Sequence, residues 1–80
     1  MTTATTTATT RPSREGRVLA DLDDLLRLDH DAVEAYSLAI GLARDPAHKD
    51  ALRAHRADHE RHIEALGALV RARGRTPARV

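Results

Sequence analysis

Between Arg17 and Arg73 the chain carries a single proline, Pro46, directly preceded by Asp45. This one interruption constrains the fold more than any other feature. On both sides of it apolar residues recur every three or four positions, the spacing of an amphipathic helix. The pattern predicts one helix over 17–44 and a second from Pro46 to about Arg73. Aspartate is a strong helix N-cap, and proline suits the first helical position because its missing N–H has no intrahelical partner there. Gly74 can take the left-handed conformation that ends a helix, and Pro77 lies just beyond it. So short a connection forces the two helices to fold back on each other. The expected fold is all-α, an antiparallel two-helix hairpin over 17–74, with no strand pattern and no internal repeat.

The flanks read differently. Residues 1–16 begin MTTATTTATT and show no apolar periodicity, so a disordered threonine-rich tail is expected. Its Arg-containing, acid-poor character is shared with organellar transit peptides, a minor alternative. Residues 75–80 form a short basic tail with Arg75 and Arg79.

An 80-residue chain has difficulty burying enough apolar surface to offset its conformational entropy. It contains no cysteine, so disulfides and thiolate metal sites are excluded. Metal ions through other ligands, or partner chains, remain. The formal net charge is +1 and Tyr36 is the sole aromatic residue, which argues against a nucleic-acid partner and against base stacking. No apolar run reaches membrane-spanning length and no signal-peptide core is present; no membrane association is expected, and the expected compartment is the cytoplasm. Nucleophile elbows and glycine-rich phosphate loops are missing, which leaves hydrolase, kinase and nucleotide-binding readings without support.

The chemistry concentrates in HRADHERH, residues 55–62, which holds His55, His59 and His62, three of the five histidines. The series Leu52, His55, His59, His62, Leu66, Leu69 alternates steps of three and four, which places the histidines on one stripe with the leucines and predicts that they face inward. The matching series in the first helix is Leu22, Leu26, Asp29, Val33, Tyr36, Ile40 and Ala43, interrupted by one carboxylate. Folding the hairpin about residue 46 sets Asp29 opposite His59 and His62, and Tyr36 opposite His55 and His59. Buried polar groups without partners cost several kcal/mol, so this set must satisfy itself, line water or bind a metal. A second apolar stripe on the first helix, Leu25, Leu28, Ala32, Ala35, Ala39 and Leu42, would stay wet in a lone hairpin. A homodimer or higher homo-oligomer, with two hairpins making a four-helix bundle, is therefore expected.

The stretches LDHDAVEAY (28–36) and DHERHIEAL (58–66), with the Asp-Pro turn between them, resemble small bacterial ferritin-like domains. More distantly they resemble the two-helix encapsulated ferritins, in which two chains complete a four-helix bundle. The likeness spans about residues 18–77. It implies a di-iron site to which the first helix gives a glutamate and the second a Glu-x-x-His pair. Carried over, Asp29 stands at the first-helix position, His62 at the histidine position and His59 where glutamate is the rule. Glu34 is an alternative first-helix ligand, although it lies about 140° around the helix from Asp29. The candidate metal ligands are thus Asp29, His59, His62, His55 and Glu34, the expected metal is iron, and zinc or manganese are alternatives. His30, Glu34, His55 and His59 also have hemerythrin-like spacings, but His30 lies about 100° off the stripe. The competing reading is a non-catalytic helical interaction module with a buried His/Asp hydrogen-bond network.

Overall fold

The computed structural model describes residues 13–78. Two helices account for most of them: α1 spans Arg14–Leu42 and α2 spans Pro46–Ala72. They run antiparallel and pack against each other along their length.

α1 begins three residues before the expected Arg17. Ser13 is its N-cap, with the side-chain oxygen accepting the Gly16 N–H at 3.0 Å. That bond satisfies one of the amide groups a helix start leaves unpaired. Glu15 sits in the first turn, where the helix dipole favours negative charge. It also pairs across the hairpin with Arg73 at 3.1 Å, tying the start of α1 to the end of α2. The expected tail through residue 16 is therefore helical from Arg14; residues 1–12 lie outside the described residues, as do 79 and 80.

α1 ends at Leu42, two residues short of the expected 44. Ala43 is extended (φ −71°, ψ 144°), and its N–H still reaches the Ala39 carbonyl at 2.9 Å. The turn has the expected chemistry: Asp45 caps α2 by accepting the His48 N–H at 3.3 Å, and Pro46 is its first residue. At the far end Gly74 has φ 76°, with its N–H bonded to the Arg71 carbonyl at 2.9 Å. The Arg75 N–H bonds back to the Val70 carbonyl at 3.3 Å, so the last carbonyls of α2 are capped by a left-handed glycine, as expected.

The inner face of α1 is the expected one. Leu22, Asp29, Val33, Tyr36, Ile40 and Ala43 are half-buried and Leu26 is fully buried. The inner face of α2 is rotated from the expectation. It runs through Leu52, Arg56, His59, Ile63, Leu66, Gly67 and Val70, while His55, His62 and Leu69 are exposed. Both series contain 52, 59 and 66; they differ in whether a four-residue or a three-residue step comes first. The observed order turns Ile63 and Val70 inward in place of His62 and Leu69. Sequestering two β-branched aliphatic side chains gains more than sequestering an imidazole and a leucine, because the imidazole would need a new polar partner. Arg56 occupies its inner position by sending its guanidinium out to donate to Ser37 Oγ at 3.1 Å.

Among the described residues only Leu26 and Val70 are large side chains buried completely. Leu25, Leu28, Leu38 and Leu42 on α1 and Leu69 on α2 remain between 47% and 74% exposed. No helix is long and apolar enough to cross a membrane among the described residues.

Candidate metal centre

The centre is built from one carboxylate of α1 and two imidazoles of α2. Asp29 Oδ1 lies 2.8 Å from His59 Nδ1 and 3.6 Å from His62 Nδ1. The Asp29 side chain is 14% exposed, that of His59 30% and that of His62 62%. The set thus starts in the helix–helix interface and opens to solvent through His62. Donor atoms of all three residues fall within 4.8 Å of one another, and among the described residues no other group of His, Asp and Glu does so.

Helix geometry explains the convergence. Asp29 is on the inner face of α1, and His59 is on the inner face of α2 at the same level. His62 is three residues further along, about 300° around α2 and so 60° to one side of His59. Helical side chains lean toward the N-terminus of their helix, which brings the His62 ring back over the His59 level. The two rings meet edge to face, with centroids 5.9 Å apart.

Tyr36 supports the centre from α1. Its ring stacks on His59 (5.5 Å between centroids) and on His55 (5.8 Å), as the sequence led us to expect. His55 is held there, one turn from His59, but it is exposed and lies outside the three-residue group. Glu34 is exposed and also outside it. Its position about 140° from Asp29 turns it away from α2. His30 does not join the group, which removes the hemerythrin-like spacing. Asp58, at the edge of the histidine stripe, pairs with Arg61 and orients no histidine.

The donor set fits a transition-metal cation. Bonds of about 2.0–2.2 Å to nitrogen and carboxylate oxygen place neighbouring donors about 2.9–3.5 Å apart in octahedral or tetrahedral sites. The two oxygen–nitrogen separations, 2.8 and 3.6 Å, fall on either side of that window, and all three donor atoms lie within 4.8 Å of one another. Two imidazoles and one carboxylate suit Fe(II), Zn(II) and similar borderline ions. Without a cation the same atoms make a hydrogen bond: with its proton on Nδ1, His59 donates to Asp29. With the proton on Nε2, the Nδ1 lone pair joins the carboxylate as a second electron-pair donor.

No family model, curated protein or solved structure matches this chain.

Proposed function

We propose that this chain is a metal-binding hairpin, half of a ferritin-like bundle, in which Asp29, His59 and His62 hold a divalent transition metal. The observation that carries this reading is the approach of one carboxylate oxygen to two imidazole nitrogens, at 2.8 and 3.6 Å, from separate helices. Iron is the metal proposed, with zinc and manganese as alternatives; bound iron would supply Fe(II) oxidation by oxygen or peroxide at coordination positions left open.

The protein's own contributions are specific. Asp29 provides the only formal negative charge of the set and keeps its carboxylate mostly out of water. Tyr36 fixes the plane of His59, as neighbours of metal ligands commonly do. His62, mostly exposed, leaves the centre accessible from one flank of the hairpin. Leu25 and Leu28 of α1 and Leu69 of α2 lie toward that same flank by the helical repeat, and all three are exposed. We place a second copy of the chain there, which would cover the leucines and bring a second Asp29/His59/His62 set near the first.

One observation favours a second reading. The Asp29–His59 separation of 2.8 Å is already a good hydrogen bond, and a buried polar pair of this kind can fix helix register with no metal. This is the interaction-module alternative. Metal analysis and solution mass of the purified chain, each with and without chelator, separate the two. The metal reading expects bound metal and an assembly weakened by chelation. Equal assembly under both conditions, with no metal bound, selects the module.

A further inference from the structure

A cleft of about 500 Å³ opens on the opposite flank of the hairpin. Its accessible apolar lining is Ile63 of α2, with Leu26 of α1 and Gly67 of α2 buried beneath, and the segment 76–78 closes one end. Gly67 gives the Arg71 side chain its seat. It is buried in the middle of a helix, and the Arg71 guanidinium rests over it, 3.3 Å from where a side-chain carbon at position 67 would stand. Glu60 and Glu64, one helical turn apart, line the other end. Among the described residues the side chains of Arg71, Glu60 and Glu64 have no hydrogen-bond or ion-pair partner. The cleft therefore sets an unpaired cation over Gly67 against unpaired carboxylates at the Glu60 and Glu64 end, with Ile63 between them. This flank lies away from His62, because His30 and Glu60 sit about 100° to the other side of Asp29 and His59.

We infer that this cleft binds a small dipolar molecule, a carboxylate and an ammonium group joined by a short apolar chain. The carboxylate pairs with Arg71, whose planar fork suits that group. The ammonium lies between Glu60 and Glu64, and the chain lies along Ile63. The Arg71 guanidinium sits at the level of Gly67, three residues from Glu64 and seven from Glu60, on the order of 5–10 Å along α2, so the ligand is short and extended, with its charges at its two ends. The volume is within the usual range of small-molecule sites. The inference stands apart from the metal proposal, since it uses none of Asp29, His59 or His62.

The probe is ε-aminocaproate, titrated into the full chain and followed by amide chemical shifts. Caproate and hexylamine, each with one of the two charges, are the controls. The expected result is saturable shifts centred on Ile63 and Gly67, with affinity at least about tenfold above either control. Arg71→Ala and Glu64→Gln, with helix content confirmed by circular dichroism, should each lower that affinity by about tenfold. Absence of saturable shifts overturns the inference. So does equal binding of all three probes, or binding unchanged in both charge variants.

Discussion

Asp29 and His59, thirty residues apart in sequence, meet at 2.8 Å across the helix–helix interface, and His62 approaches the same carboxylate oxygen at 3.6 Å. Asp29 is the hub of the arrangement, because both imidazoles converge on its Oδ1. The three residues should therefore respond unequally to substitution. His62→Ala leaves the interface pair intact and should weaken zinc binding by at least about tenfold; Asp29→Ala removes the hub and should weaken it further. Titration calorimetry with zinc checks the order, and an Asp29→Ala chain that binds as well as His62→Ala would be inconsistent with it.

Metal and protons compete for the same imidazole lone pairs, so metal binding must fade as the solution is acidified. Metal that binds the folded chain alone raises its melting temperature by mass action. The zinc-induced rise in Tm should be present near pH 7.5 and lost near pH 5. A rise of equal size at both values would place the metal on carboxylates alone.

The exposed leucines of α1 should drive self-association. Leu28→Asp puts a charge in the middle of the stripe without touching the inner face of the hairpin, since Leu28 is 65% exposed. Sedimentation equilibrium should show the native chain as a dimer or larger and the variant shifted to monomer. A native chain that remains monomeric at high concentration removes the second-copy arrangement.

How much of this was legible in the sequence depends on how local each signal is. The Asp45–Pro46 cap and the left-handed Gly74 are set by a few neighbouring residues, and both stand where expected. The inner face of α1 was also legible, because Leu22, Leu26, Val33 and Ile40 make a bulkier stripe than the alanine-rich one beside it. α2 was harder. Its two candidate stripes share Leu52, His59 and Leu66, and choosing between them weighs Ile63 and Val70 against His62 and Leu69. That comparison depends on how the whole helix rotates against α1, a property of packing. Asp29 still met His59 and His62, because a 60° displacement leaves a long ring within reach. His55 and Glu34 did not join them: the rotation exposes the first, and the second starts too far around α1. Ser13 was hidden by the threonine-rich composition before it, although its capping role needs only the few residues that follow.

The small core carries a stability consequence. Leu26 is 1% exposed and Leu38 is 68% exposed, on the same helix. Leu26→Ala should cost about 2–5 kcal/mol, whereas Leu38→Ala should stay within about 0.5 kcal/mol. Urea unfolding followed by circular dichroism measures both. Comparable losses would mean that Leu38 is covered in solution by an interface larger than the flank described above.

The most direct test of the account is the metal content of the purified chain beside that of Asp29→Ala, by elemental analysis, after incubation with Fe(II) or Zn(II) and removal of free metal. The account predicts a stoichiometric amount of metal in the native chain and essentially none in the variant, with helix content unchanged. Equal metal in both chains, or none in the native chain, would contradict the assignment of a centre to Asp29, His59 and His62.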